Sequence, residues 1–273
     1  VDPMFVDTAN GNYHLLASSQ CINAGHPDSL DSDGSRADIG AYPYLNTYSG
    51  PTWYVETDGS DTDGTGSTDN PFASIQSAIN FATTTGDSVT VASGTYVENI
   101  NFRGRNIKVV GEDRETTIID GNQNGSVVNI ANNETNAFLS GFTITNGTAA
   151  YGGGINCTGT DATITNVIVE NNLATSHGGG VVSYGGGSIL NISDSYIRNN
   201  ICNNCGGGGA SVNNGGATLN LSNVIINNNT GNVGGGVFCE GGAFLSLNTG
   251  EISNNTSSSG GGGIYYGNTA SST

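Results

Sequence analysis

Three glycines followed by a small or branched apolar residue occur five times in the second half of the chain. The five copies occupy residues 152–155, 178–181, 207–210, 234–237 and 261–264. Their apolar residues are 26, 29, 27 and 27 positions apart. A near-constant period in this range is typical of a stack of equivalent units. The chain is therefore predicted to be an elongated solenoid without one central core.

An asparagine pair lies between successive glycine runs, at residues 171–172, 199–200, 228–229 and 254–255. Apolar residues stand ten, eight and three positions before the second asparagine of each pair. In chain order these positions hold Ala162, Leu190, Leu219, Leu245; Ile164, Ile192, Leu221, Leu247; and Val169, Ile197, Ile226, Ile252. Apolar positions two residues apart indicate strands rather than helices. Each unit is predicted to consist of short strands that stack ~4.8 Å from the next unit in parallel sheets.

Glycine and asparagine have distinct predicted roles at the turns. Glycine adopts positive φ without a Cβ clash. Asparagine tolerates the left-handed region, and its amide can bond to the units above and below as a ladder. The glycine runs have no following helix and no Lys-Ser/Thr, which argues against a phosphate-binding loop.

Residues 139–147, 151–155, 164–166 and 170–172 resemble the secreted, glycine-rich members of the pectate-lyase-like superfamily of right-handed parallel β-helix proteins. The later units also resemble the polymorphic outer-membrane protein repeats of bacterial surface proteins, which carry a Gly-Gly-Ala/Gly-Ile element and a Phe-x-x-Asn element. In this chain Ile or Val stands at the Phe position of the second element. The resemblance covers roughly residues 52–273. It implies an all-β chain folded as a right-handed parallel β-helix, located outside the cell or on its surface.

The front of this region carries an amphipathic pattern, with apolar residues at i, i+3, i+4 and i+7 from Ile75 onward. The pattern predicts a short helix at about residues 72–82. The resemblance implies that this helix caps the first coil of a β-helix formed by residues 51–273, with regular glycine-rich coils at about 137–273. A cap is needed because the end of a stack exposes unpaired strand edges.

Residues 1–50 resemble the closing segment at the carboxyl end of bacterial β-helix surface proteins, with the signature at residues 2–7, 12–15, 21–25 and 31–42. Here the segment precedes the predicted helix. The chain is interpreted either as a piece of a longer tandem protein or as a subunit whose residues 1–50 complete a neighbouring copy in a head-to-tail filament. The tandem interpretation needs fewer assumptions.

The charge balance excludes some partners. Six Lys and Arg face 23 Asp and Glu, a formal charge of −17. Nucleic acid and anionic membrane surfaces need a basic face, so neither is an expected partner. No apolar run approaches the length of a membrane span. Eighteen of the acids lie in residues 1–147, so the repeats present a nearly neutral Asn, Ser and Thr surface. Surface glycan or another copy of the chain is the expected partner.

The five cysteines do not form a metal or redox motif, because no second pair accompanies Cys202 and Cys205. A local disulfide between these two, pinning a turn, is predicted. Cys157 and Cys239 occupy equivalent positions three units apart, which is ~14 Å and too far for a bridge. Both are predicted to be small core residues.

Two acidic loops provide closely spaced carboxylates, the ligands that calcium prefers. One contains Asp31, Asp33 and Asp38, and the other contains Asp58, Asp61 and Asp63. Neither matches the twelve-residue helix-loop-helix pattern, so a solvated turn is the alternative to a calcium site.

An enzyme is the rival interpretation, because the resemblance also implies polysaccharide lyases and glycoside hydrolases. A hydrolase needs convergent carboxylates and a lyase needs a positioned base. The repeats have five scattered acids and one base, Arg198, so no catalytic residue is assigned. The basic residues Arg103, Arg105, Lys108 and Arg114 are predicted to form a surface ion-pair patch. The chain is predicted to be a non-enzymatic structural or adhesive protein; a lyase, a hydrolase or a glycan-binding module of one is the alternative.

Overall fold

The computed structural model describes residues 2–267; residues 268–273, the end of the predicted coil region, lie outside the described residues. One α-helix, α1 (Ile75–Phe81), is present among the described residues. The strands are β1 (Phe5–Asp7), β2 (Asn12–Leu15), β3 (Thr52–Val55), β4 (Ser88–Val91), β5 (Gly94–Val97), β6 (Ile100–Asn101), β7 (Lys108–Gly111), β8 (Thr117–Asp120), β9 (Val128–Ile130), β10 (Ala137–Ser140), β11 (Thr143–Thr145), β12 (Thr148–Tyr151), β13 (Ile155–Thr158), β14 (Asp161–Thr165), β15 (Ile168–Glu170), β16 (Leu173–His177), β17 (Val181–Tyr184), β18 (Ile189–Arg198), β19 (Ile201–Cys202), β20 (Ala210–Asn213), β21 (Thr218–Asn227), β22 (Thr230–Val233), β23 (Val237–Glu240), β24 (Phe244–Ser253), β25 (Thr256–Gly260) and β26 (Ile264–Tyr266).

The strands from β3 onward form three sheets in which every strand pairs in parallel with its neighbours. A 12-stranded sheet contains the first two strand positions of each coil, which merge into one bent strand in β18, β21 and β24. A 5-stranded sheet, β12-β16-β19-β22-β25, and a 7-stranded sheet, β26-β23-β20-β17-β13-β9-β6, complete the coils. The predicted all-β parallel β-helix with one short helix is confirmed.

The register of the predicted apolar columns is also confirmed. Ala162 pairs with Leu190, Leu190 with Leu219, and Leu219 with Leu245. The other two columns stack in the same way. Cys157 and Cys239 lie three rungs apart in one column, and both are buried free thiols. Equivalent positions of successive coils therefore stack on one another along the rod.

The turns depend on glycine and asparagine as the sequence predicts. The first glycine of the runs has positive φ, for example 65° at Gly178 and 60° at Gly234. The third glycine packs so closely on the next coil that a Cβ on Gly180 would lie 2.6 Å from the carbonyl oxygen of Gly209. The first asparagine of every pair has positive φ: Asn171 57°, Asn199 56°, Asn228 56° and Asn254 53°.

The second asparagine of each pair forms an internal ladder. The side-chain amide of Asn172 donates to Oδ1 of Asn200 at 3.1 Å, Asn200 to Asn229 at 3.0 Å, and Asn229 to Asn255 at 2.9 Å. Asn200 and Asn229 are fully buried. The ladder satisfies polar groups that the interior could not otherwise accommodate. Below it, the backbone N–H of Gly147 donates to Oδ1 of Asn172.

Two elements cover the front of the rod, helix α1 and the segment of residues 2–50. Helix α1 begins after Ser74, whose hydroxyl accepts from the N–H of Ser77, and it packs its apolar face on the first coil. Residues 2–50 lie against the helix: Leu15 and Ile22 are buried in the main core, and the Asn80 amide donates to the carbonyls of Ala17 and Ser19. The segment thus covers the front of its own β-helix. Among residues 2–267, no helix has the length and apolarity of a membrane crossing.

Candidate functional site

The first acidic loop uses its carboxylates to hold the backbone of residues 1–50. Asp38 accepts hydrogen bonds from the N–H groups of Asn23 at 2.7 Å and Tyr44 at 2.8 Å. Asp33 accepts from the N–H groups of Ser35 and Asn46, and Asp31 accepts from the N–H of Asp38. Burial raises the pKa of Asp38, against the lowering effect of its two backbone hydrogen bonds. These three carboxylates therefore stabilise the backbone conformation of residues 23–46 by accepting hydrogen bonds from its N–H groups.

The second acidic loop divides between a bracing residue and two exposed residues. Asp61 Oδ1 accepts from the N–H groups of Ala73 and Ser74 and from the hydroxyl of Ser77, next to the start of α1. The carboxylates of Asp58 and Asp63 accept no hydrogen bond within residues 2–267. Over the same residues, no group of three His, Cys, Asp or Glu side chains is arranged to hold a metal ion.

Cys202 and Cys205 are joined by a disulfide, with their Cα atoms 5.1 Å apart. The bridge closes a turn between β19 and β20, next to the glycine run of residues 207–209. Cys202 and Cys205 pack with Ala174 in a small apolar cluster separate from the main core. The bridge thus stands where the longest repeat inserts extra residues.

A concave corner runs along the 12-stranded sheet, where each coil bends between its first two strand positions. The bend residues Asn166, Asp194 and Asn223 have φ of 53°, 52° and 55°. With Arg114 and Tyr196 they line a cavity of about 260 Å³. We call this feature the corner groove.

Arg114 reaches the corner groove from a loop of an earlier coil. Its guanidinium lies 4.8 Å from the centre of the Tyr196 ring, and its Nη1 donates to the carbonyl of Asp194 at 2.9 Å. Arg198 lies 5.8 Å from the same ring and pairs with Glu170 at 2.7 Å. Tyr196 therefore sits between two cations, an arrangement in which the ring quadrupole attracts positive charge.

Rows of hydroxyl and amide groups continue the groove wall along the rod. One row contains Thr163, Asn191, Asn220 and Ser246, and the other contains Thr165, Ser193, Ser222 and Asn248. Members of the rows bond to each other, as Asn220 does to Asn191 at 2.8 Å. The surface offers hydrogen-bond donors and acceptors at the rung spacing with almost no net charge.

A strip of aromatic rings follows the glycine turns on another side of the rod. His177 stacks on Tyr151 and on Phe238, with ring centres 5.7 and 5.9 Å apart, and Phe238 stacks on Tyr265 at 5.5 Å. Gly206 makes room for the strip, because a Cβ there would lie 2.6 Å from the Phe238 ring. Burial lowers the pKa of His177, opposed by the charge of Glu240. The ring faces meet one another, so the strip is primarily a packing feature.

A cavity of about 520 Å³ lies between residues 1–50 and the front of the β-helix. Aromatic residues Tyr48, Trp53 and Phe81 line it together with Arg36 and Arg105. We call it the front cavity. The predicted ion-pair patch is wrong for Arg103 and Arg105, which form no ion pair among residues 2–267 because both guanidinium groups turn inward to backbone carbonyls. Lys108 forms no ion pair among residues 2–267 either, whereas Arg114 pairs with Glu115 at 3.5 Å.

The sequence did not predict the corner groove or the front cavity. Arg114 contacts Asp194, which lies 80 positions further along the chain. This separation in sequence depends on how many coils the Arg114 loop reaches across. A regular asparagine or aspartate at the bend was the available signal, since Asn166, Asp194 and Asn223 occupy equivalent positions.

No protein-family model and no curated protein matches the sequence. Among solved structures, the fold is similar to that of a pectin methylesterase from carrot, with 14% sequence identity and a TM-score of 0.41. The match covers 74% of this chain and 65% of the carrot protein. This chain therefore spans just under two thirds of the length of that protein. The likeness concerns the parallel β-helix fold alone.

Proposed function

We propose that the protein is an extracellular adhesive β-helix that binds a glycan chain along the corner groove, without cleaving it. The observation that carries this proposal is Tyr196, held between Arg114 and Arg198 within a groove walled by neutral hydrogen-bonding side chains. An extended polar polymer matches such a surface, because its repeating hydroxyls can pair with amide and hydroxyl groups at successive rungs. Both cations are paired with a carboxylate, Arg114 with Glu115 and Arg198 with Glu170, so the groove favours a polymer without net charge.

Binding without cleavage is supported by the state of the groove carboxylates. Glu170 is paired with Arg198. Asp194 accepts a hydrogen bond from Asn223 at 2.8 Å. A glycoside hydrolase requires one carboxyl group that donates a proton and a second that is free to act as base or nucleophile.

The test is retention of soluble acidic and neutral polysaccharides in affinity electrophoresis. We expect neutral polymers to retard the protein more than acidic ones, and Tyr196→Ala to weaken binding about tenfold, equivalent to about 1.4 kcal/mol. Tyr151→Ala is the matched control, because it removes an exposed tyrosine from a different side of the rod. Equal losses in the two variants, or no retardation at all, would contradict the proposal.

The same polymers test the enzyme alternative. Assays for reducing ends, unsaturated products and released methanol should remain at background with the wild-type chain. If the wild type formed product and Glu170→Gln did not, the adhesive proposal would be wrong and the enzyme alternative would replace it. Retardation and product formation are separate readouts, so one cannot mask the other.

We further propose that the chain is one rod of a tandem array. Leu15, Ala17, Cys21 and Ile22 of this segment are buried in the core of their own β-helix, which supports the tandem arrangement over a filament in which the segment completes a neighbour. Electron microscopy of native material should reveal strings of rods joined end to end by covalent linkers. Polymers that dissociate on dilution would favour the filament.

Calcium at the two acidic loops stays a prediction. Asp58 and Asp63 are the carboxylates most open to a cation, since both are exposed. Extracellular calcium modules bind at ~0.1–1 mM. Isothermal titration over that range should give saturable heat that Asp58→Asn diminishes. A flat titration would remove calcium from the proposal.

A further inference from the structure

The front cavity carries an excess of unpaired donors. Neither Arg36 nor Arg105 lies within ion-pair distance of a carboxylate among the described residues. Arg36 bonds only to the carbonyl of Gly25, and Arg105 only to the carbonyl of Ile79. A guanidinium has five N–H donors, so most donors of both groups have no protein partner.

Trp53 provides a second, independent indication of a ligand site. Its side chain lines the front cavity and is 4% exposed, yet its indole N–H has no hydrogen-bond partner within residues 2–267. Buried polar groups are almost always paired. An orphaned indole donor at the wall of a polar cavity indicates that an acceptor belongs there.

The acidic residues of the cavity do not supply that acceptor. Asp33 bonds to the N–H groups of Ser35 and Asn46. Asp87 bonds to the N–H of Thr84 at 3.0 Å. Burial and the neighbouring charges of Arg103 and Arg36 lower the pKa of Arg105 to about 9, with Asp87 opposing the shift. An anion placed in the cavity would relieve this unfavourable environment.

The remaining wall indicates what kind of anion fits. Asn23, Asn46, Thr83 and Thr84 contribute amides and hydroxyls, and Tyr48 contributes an aromatic ring. The volume of about 520 Å³ is within the range of small-molecule sites. Hydroxyl-binding groups, an aromatic wall and two guanidinium groups suit a polar ring that carries an oxyanion.

We propose that the front cavity binds an anionic monosaccharide, a pyranose bearing one carboxylate or one sulfate ester. The oxyanion is bound by Arg36 and Arg105, and the indole N–H of Trp53 donates to a ligand oxygen. Because one wall belongs to residues 1–50 and the other to the β-helix, the ligand also fastens the segment to the rod. This site is separate from the corner groove, and its existence does not depend on polymer binding there.

The chain contains one tryptophan, so binding can be followed directly by its fluorescence. Titrations use glucuronate, glucose 6-sulfate, glucose and sodium sulfate with the full chain. We expect both anionic sugars to saturate the signal and glucose to bind at least about tenfold more weakly, the loss of a charge-assisted hydrogen bond. Saturation by only one anionic sugar identifies whether carboxylate or sulfate is the natural group. No response to either sugar, or equal binding of glucose, would overturn the proposal.

Two variants and a control locate the site. Arg36→Gln should weaken binding of the better anionic sugar about tenfold, and Arg36 is exposed, so the fold should tolerate the change. Trp53→Phe should weaken binding in calorimetry while it retains an aromatic ring in the core. Lys108→Gln removes a positive charge at an exposed position that lines neither candidate site and should leave binding unchanged. An unaltered affinity in Arg36→Gln, or an equal loss in Lys108→Gln, would place the ligand elsewhere.

The fastening role has its own readout. Saturating ligand should slow limited proteolysis between residues 1–50 and the β-helix and raise the melting temperature of the wild type. Binding without slower cleavage would retain the site and refute the fastening.

Discussion

Removing one rung of the asparagine ladder is the sharpest test of how the rod is stabilised. The side chain of Asn200 makes four hydrogen bonds. Its amide donates to the carbonyl of Val169 at 2.9 Å and to Oδ1 of Asn229 at 3.0 Å. Its Oδ1 accepts from the backbone and side-chain nitrogens of Asn172, both at 3.1 Å. All four partners lie in the interior, away from water.

The magnitude follows from these contacts. A net hydrogen bond contributes about 1 kcal/mol, and a buried donor left without a partner costs about 1–3 kcal/mol. Asn200→Ala removes four bonds and leaves the backbone N–H of Asn172 unpaired, so we expect a loss of about 4 kcal/mol. Urea unfolding followed by far-UV circular dichroism measures this loss.

The adjacent asparagine provides the control. Asn199 is exposed and contributes through its left-handed backbone conformation, φ 56°. Asn199→Ala should therefore cost only about 1 kcal/mol, and Asn199→Gly should cost almost nothing. If Asn200→Ala cost no more than Asn199→Ala, the ladder would be a by-product of stacking and the argument would be refuted.

Three further predictions concern pH, glycine packing and the thiols. Burial raises the pKa of Glu98 from 4.5 to about 7, so its stabilising contribution is complete below pH 4.5 and is lost as the pH rises through 7; wild type should lose up to about 3 kcal/mol relative to Glu98→Gln, measured by melting across that range. Gly180→Ala places a Cβ 2.6 Å from a carbonyl oxygen and should cost about 3 kcal/mol in urea unfolding; Gly125→Ala, with nothing within 4 Å, should cost about 1 kcal/mol, and equal costs would refute the packing argument. The unfolded, unreduced chain should expose three reactive thiols, Cys21, Cys157 and Cys239; reduction should add two and lower stability by about 2 kcal/mol, whereas five thiols before reduction would contradict the bridge.

The repeated part of the fold could be read almost completely from the sequence. Each apolar column pairs as the spacing before the asparagines predicts, because stacked coils force equivalent positions together. The sequence did not separate the two asparagines of a pair by role; the structure assigns the turn to the first and the ladder to the second. One residue must reverse the chain, and the adjacent one must satisfy the interior.

The front of the rod and the two candidate sites could not be predicted in the same way. No periodicity governs how residues 2–50 fold back, and Asn80, which holds the segment, looks like an ordinary polar residue of a short helix. Arg105 stands in a run of charged residues that indicates solvent exposure, yet its guanidinium caps the carbonyl of Ile79. A side chain that hydrogen-bonds to another element leaves no periodic pattern in its own stretch of sequence, so such contacts could not be predicted.

The identical register from one coil to the next has an evolutionary consequence. A unit of about 27 residues can be duplicated or deleted without altering any contact except those at the new junction. Recombination between the DNA stretches that encode the glycine runs would add or remove one whole coil. Rod length can then vary between related genes while the front cavity is preserved, and avidity for a polymer would change with the number of layers.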